Sequence, residues 1–209
     1  LSEYFSSFSM KKLVILILCF FMTGCSIVRI DTTNVDNIVK VVLSKENNLY
    51  NRVGKGYKYY IPRGVSYLDT TDLNDKLYSD GIYYYLYIDI VSYYHKIDMH
   101  YEENPTLYYS KKIDGEKTGY LQIEETNDYY YVTFYYNYAK IEAITPKSKL
   151  EEVILNASYI LSTVKFNDNI VALNLKDDYF TNKEEQYTEF KESEKEEYFL
   201  SSTEESNEN

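Results

Sequence analysis

The chain has 209 residues, 33 acidic against 22 basic side chains, and a net charge of −11. That balance argues against a nucleic-acid-binding protein, which needs clustered basic surface. Two cysteines, 3 prolines, 7 glycines and no tryptophan also leave little room for a disulfide-stapled or low-complexity fold.

Residues 1–9 precede a lysine pair that looks like the start of a leader, so Met10 is the expected start and Leu1–Ser9 an alternative start or an over-extended reading frame. Met10-Lys11-Lys12 leads into ten apolar residues, Leu13 to Met22, followed by Thr23-Gly24-Cys25. As a helix those ten residues span about 15 Å, roughly half a hydrocarbon core, which fits a secretory signal better than a permanent span. Met22-Thr23-Gly24-Cys25 resembles the lipobox of bacterial lipoproteins, with Met22 where leucine is more usual. The resemblance implies cleavage before Cys25, a diacylglyceryl group on its sulfur, and residence on the extracytoplasmic face of the bacterial cytoplasmic membrane. Two or more acyl chains hold a protein stably on a bilayer. Cys19 would leave with the leader and Cys25 would carry the lipid, so no cysteine remains for a disulfide or a metal. Residues 25–33 read as anchor and linker, 34–175 as one domain, and 176–209 as a tail.

Within the domain, Val35, Ile38, Val39, Val42 and Leu43 share one helical face, and Thr33 or Asn34 can cap it, so a helix is expected over 34–46. "GYKYYIPRG", from Gly56 to Gly64, reads as a short strand closed by a proline turn. The longest β pattern, Ile82 to Ile97, puts Ile82, Tyr84, Leu86, Ile88 and Ile90 on one side. Tyr83, Tyr85, Tyr87, Asp89, Val91, Tyr93 and His95 fall on the other. Neither side is plainly polar, which points to a sheet covered on both faces. "TLYYSKKI", "GYLQIEE" and "YYYVTFYYNYAKIEAI" follow with short turns and complete an antiparallel meander of four strands. Thr145 and Pro146 mark the start of a second helix with Leu150, Val153, Ile154, Ala157 and Leu161 as its buried stripe. A last strand is expected near Lys165–Leu175. The fold class is therefore α+β, an antiparallel sheet covered by helices.

"GYKYYIPRGV" and "ASYILSTVKF" are similar to the opening strand-and-Pro signature and the closing helix-to-strand segment of PsbP-like and Mog1-like domains. The resemblance implies an α/β/α sandwich and a binding or assembly accessory, and it carries over no catalytic residue. Val65 stands where those domains usually have a tryptophan.

The 27 tyrosines have two explanations, a stacking surface for sugars or aromatic ligands and the codon bias of an AT-rich genome. Asp89, between Tyr87 and Val91 on the expected strand, reads as a partly buried carboxylate bound by a tyrosine hydroxyl, or else as a ligand contact with Tyr83, Tyr85, Tyr87 and Tyr93. His95 and His100, flanking Asp98, are too few to hold zinc. The run Asp69, Asp72, Asn74, Asp75 and Asp80 has calcium-type oxygens but not the spacing of an EF-hand loop. Arg52, Lys55, Lys58 and Arg63 form the densest basic stretch, facing either solvent or anionic headgroups. No metal and no cofactor is expected. From Lys176 onward, 12 acidic and 4 basic residues make a solvated acidic segment. The reading is a non-enzymatic, lipid-anchored accessory that binds another envelope protein; the alternative is a binder of carbohydrate or peptide that uses its tyrosines.

Overall fold

The protein is described by a computed structural model over residues 34–71 and 73–176. The expected leader, Met22–Cys25 and the acidic segment after Lys176 lie outside these residues. Helix α1 (Val35–Leu43) begins where expected, because the Asn34 side chain accepts hydrogen bonds from the backbone N–H of Asp36 at 2.8 Å and of Asn37 at 3.4 Å. It stops at Leu43, three residues short of the expected end.

Among the described residues ten strands follow in two sheets, and the class is α+β. Strands β1 (Arg52–Val53) and β2 (Tyr57–Tyr59) form a small sheet with β10 (Lys165–Phe166). The main sheet contains β3 (Ser66–Thr71), β4 (Asn74–Ser79), β5 (Ile82–Ile88), β6 (Tyr109–Ile113), β7 (Gly119–Thr126), β8 (Tyr129–Tyr136) and β9 (Ala139–Pro146). Its spatial order is β3-β4-β5-β9-β8-β7-β6, and every pair is antiparallel.

The expected long strand over 82–97 is in fact β5 followed by a helix, α2 (Ile90–His95). Asp89 makes the difference: its carboxylate accepts the Ser92 N–H at 2.9 Å and caps the helix. Lys96, at φ 55°, closes it in the left-handed conformation. The meander is β6 through β9, and β5 joins it beside β9 rather than beside β6. Segment 89–108 carries the chain from the sheet centre to its edge.

"YYYVTFYYNYAKIEAI" divides into β8 and β9 at Asn137-Tyr138, both with positive φ (53° and 59°). This two-residue geometry matches the twist of a hairpin. A tyrosine with positive φ is uncommon, so the turn is poorly marked in the sequence. The Asn137 side chain stabilises it by donating to the Val164 carbonyl at 2.8 Å.

Pro146 ends β9 instead of starting a helix, and Thr145 is a fully buried strand residue, not a cap. A single 3-10 turn (Lys147–Lys149) then leads into α3 (Leu150–Ser162). All five residues of the expected stripe are buried, together with Ile160. The final strand is only β10; a helix, α4 (Asp168–Lys176), replaces the rest. Asn167 starts it, its carbonyl accepting from Val171 N–H at 2.9 Å and its side chain from Ile170 N–H at 3.2 Å.

Directly opposed residues on antiparallel strands share a face. One face of the main sheet carries Tyr84, Leu86, Ile88, Ile141, Val132, Phe134, Leu121 and Ile123, all buried. Helix α3 packs here, with Asn156 Nδ2 donating to the Tyr84 hydroxyl at 3.2 Å, and Ala139 and Ala143 on β9 leave room for it. Helix α1 packs against α3 on the same side. Each fully buried aliphatic or Phe side chain contributes about 1.5–3 kcal/mol, so this layer is the stabilising core. The opposite face has no helix of its own among the described residues that packs on the sheet as α3 does. Tyrosines occupy it instead.

Candidate binding face

The face of the main sheet opposite α3 is built by alternation on four neighbouring strands. On β4 and β5 it presents Lys76, Tyr78, Tyr83, Tyr85 and Tyr87. On β9 it presents Lys140, Glu142 and Ile144, and on β8 Tyr131, Thr133 and Tyr135. Tyr120 on β7 stands opposite Tyr135.

These rings touch in series. Tyr78 and Tyr83 lie 5.2 Å apart between centroids, and Tyr83 stacks with Tyr85 at 6.4 Å. The Lys76 ammonium sits 4.6 Å from the Tyr83 ring and 5.1 Å from that of Tyr85, a favourable cation–π geometry. Farther along, Tyr120 stacks on Tyr135 at 5.6 Å and on Tyr101 at 5.4 Å. Between the two ring groups lies an ion pair, Lys140 Nζ to Glu142 Oε1 at 3.1 Å, each side chain 17% exposed. The Tyr131 hydroxyl donates to the same Glu142 oxygen at 2.7 Å. The carboxylate is thus satisfied on a face that is otherwise aromatic.

At one end of the face a recess of about 250 Å³ opens between the sheet and segment 97–100. Tyr87, Tyr120, Tyr135 and Lys140 form its floor, and Asp89 lies on its wall. Burial, and then the nearby Asp89 carboxylate, push the Tyr135 hydroxyl well above the ordinary phenol range. It stays a neutral donor at any physiological pH.

Of the residues singled out from the sequence, Tyr83, Tyr85 and Tyr87 are together on this face. Tyr83 is 42% exposed, whereas Tyr85 is buried against its neighbours. Tyr93 is elsewhere: on α2, stacked on Phe166 at 3.9 Å, with its hydroxyl donating to Asp168 at 2.5 Å. Asp89 is a helix cap with one carboxylate oxygen on a backbone N–H, and a buried tyrosine–aspartate bond of the kind expected for it is seen elsewhere. That bond occurs at Asp75, where the Tyr59 hydroxyl donates to Oδ2 at 2.6 Å. Tyr120, Tyr131, Tyr135, Lys140 and Glu142 were not anticipated. For all but Tyr120, which alternation within β7 places, the signal was the alternation within 129–146, hidden by reading that stretch as a single strand.

The other polar clusters disperse. Asn74 and Asp75 point to opposite faces of β4, Asp80 pairs with Lys149 at 2.5 Å, and Asp72 lies outside the described residues. His95 ends α2, and His100 pairs with Glu102 at 3.4 Å, both of the latter largely exposed. Arg52 stacks on the Tyr67 ring at 3.5 Å and Lys58 on Tyr50 at 4.1 Å. Among the described residues no three His, Cys, Asp or Glu side chains converge as a metal site would require, and no helix is long and apolar enough to cross a membrane.

Compared with protein-family models, curated proteins and solved structures, the chain matches none.

Proposed function

We propose that the protein is a lipid-anchored, extracytoplasmic accessory without enzymatic activity, which binds another envelope protein through the tyrosine face of its main sheet. The observation that carries this reading is the group of Tyr78, Tyr83 and Tyr85 rings in mutual contact on the sheet face opposite α3. Tyrosine supplies large contact area at low entropic cost and keeps a hydroxyl for hydrogen bonding, which is why it concentrates at protein interfaces. The Met22–Cys25 motif supports the anchor, and tethering would raise the local concentration of the face near membrane-bound partners. The resemblance to PsbP-like and Mog1-like domains points to the same accessory role.

The test is site-specific photocrosslinking in whole cells. A crosslinker at Tyr83 or Tyr131 should capture one defined envelope protein, while one at Lys40 on the helix side should not. Equal capture from both positions, or none from either, removes the reading. Mass spectrometry of the mature amino terminus should find a diacylated Cys25; an intact leader sinks the anchor alone.

The stacked Tyr83–Tyr85 pair favours a second reading, a receptor for carbohydrate or peptide. Binding of oligosaccharides that quenches tyrosine fluorescence and is lost in Tyr83→Ala would select it over the first.

A further inference from the structure

The basic stretch Arg52, Lys55, Lys58 and Arg63 takes no part in the tyrosine face; it lies on the β1–β2 hairpin and its flanking turns. Alternation sorts the two sides of this small sheet. Tyr57 and Tyr59 point inward and are buried, so Lys58 between them points outward. Val53 stands directly opposite Lys58 and shares its outer face. The Lys58 ammonium lies 4.1 Å from the centre of the Tyr50 ring, which brings Tyr50 to the same side. Beyond β1 the hairpin is held by Asn51, whose side chain donates to the Ile61 carbonyl at 2.9 Å and accepts the Ile61 N–H at 2.7 Å. The Pro62-Arg63 turn is thereby fixed close to Asn51.

This surface exposes large apolar side chains within five residues: Leu49 is 58% exposed, Tyr50 54% and Val53 67%. It is also basic, on a chain of net charge −11. Neither Lys58 nor Arg63 has an ion-pair partner among the described residues. A recess of about 460 Å³ beside the β1 edge is lined by Arg52, Tyr60, Arg63 and Tyr67, with no carboxylate in its wall. Lys165, on the β10 edge, is already offset by Glu46 at 3.9 Å.

We propose that the β1–β2 hairpin is a membrane-contact surface: Tyr50 and Val53 enter the headgroup region of an anionic bilayer, and Lys58 and Arg63 bind lipid phosphates. Tyrosine suits the membrane–water boundary, and long basic side chains lay their stems on apolar surface while their charges stay among the headgroups. The net negative charge of the protein does not forbid the contact, because charges more than about 8 Å away are largely screened at physiological ionic strength. The contact rests on the membrane placement proposed above and gives the tethered domain a fixed posture.

The chain has no tryptophan, so a single one introduced is a clean reporter. The full chain carrying Val53→Trp is reconstituted in vesicles of acyl-brominated phosphatidylcholine, with or without phosphatidylglycerol. Its emission should shift to the blue and be quenched only where phosphatidylglycerol is present. A chain carrying Tyr83→Trp instead, on the tyrosine face, should stay unquenched in both. Each cation held at an anionic surface strengthens attachment about fivefold, so Lys58→Gln with Arg63→Gln should weaken it about 25-fold and abolish the quenching. Absence of quenching in both vesicle types overturns the proposal. So does quenching that ignores phosphatidylglycerol, survives the double substitution, or is equal at the two reporter positions. Acylation of Cys25 and capture of a protein partner are read by separate measurements, so failure of this contact is distinguishable from failure of the reading above.

Discussion

The hydroxyl of Tyr59 donates a 2.6 Å hydrogen bond to Oδ2 of Asp75, and both side chains are buried. Tyr59 belongs to the three-stranded sheet and Asp75 to the seven-stranded one, so this bond fastens the two sheets together. Tyr57 lies against the same carboxylate, and burial followed by the Asp75 charge pushes both phenols far above their ordinary range. Tyr59→Phe removes the donor and leaves an acceptor stranded in the core. It should cost about 1–3 kcal/mol in urea unfolding. Combined with Asp75→Asn, the two losses should be strongly non-additive; simple additivity would show that the pair does not act as a unit.

High pH should unfold the protein through its buried phenols. Tyr84 is pushed up to about 12, mainly by burial, and Tyr57 and Tyr59 are raised further. An unfolded tyrosine ionises near 10. The stability these groups contribute is therefore complete below about pH 10 and is lost as pH climbs from there through the folded values. Phenolate absorbance should rise in two phases, the second coinciding with loss of circular dichroism. One smooth phase near 10 with the fold intact would contradict this.

Asp36 gives the opposite sign. Hydrogen bonds from Lys111 and then Tyr109 hold its carboxyl below the usual aspartate range. The stability from this trio is present above the ordinary value near 3.8 and disappears as pH falls through the lower folded value. Lys111→Met should move the Asp36 titration upward in carboxyl NMR. An unchanged titration would mean that Lys111 does not reach the carboxylate in solution.

Gly119 opens β7 directly opposite Tyr136 of β8. A Cβ added there would lie 2.3 Å from the Tyr135 carbonyl oxygen and 2.8 Å from the Tyr136 ring. A backbone oxygen cannot swing aside, so Gly119→Ala should destabilise by about 1–3 kcal/mol. A neutral result in thermal unfolding would place the β7–β8 register differently.

Tyr83 separates binding from folding. Its ring is substantially exposed, so Tyr83→Ala should change stability by less than about 1 kcal/mol while abolishing capture of the partner. A large loss of stability would instead make the ring structural.

The core was largely readable because it obeys simple periods. Helix α3 shows a 3.6-residue stripe, and β5 shows strict alternation from Ile82 to Ile88. Errors arose where a local cap overrode a period. Asp89 turns "IVSYYH" into a helix although Val91 and Tyr93 continue the alternation. Asn167 does the same to a stretch whose Val171, Leu173 and Leu175 mimic a strand. Strands β3 and β4 were missed because "DTTDLNDKLYSD" is rich in turn formers, yet burial of Leu77 and the Tyr59–Asp75 bond fix β4 in place. The tyrosine face was half legible. Tyr83, Tyr85 and Tyr87 follow from alternation, but their meeting with Lys140 and Glu142 depends on β5 lying beside β9, a long-range pairing that no local pattern encodes.

That pairing divides the sheet into two zippers. Hairpins β3–β4–β5 and β6–β7–β8–β9 each close through short turns, whereas their junction spans segment 89–138 and holds only four register pairs, Tyr85–Glu142 to Ile88–Ala139. Loop-closure entropy makes such a junction slow to form. The seam therefore closes last, after the local hairpins on either side of it, and α3 then lies across it from β5 to β8 like a splint.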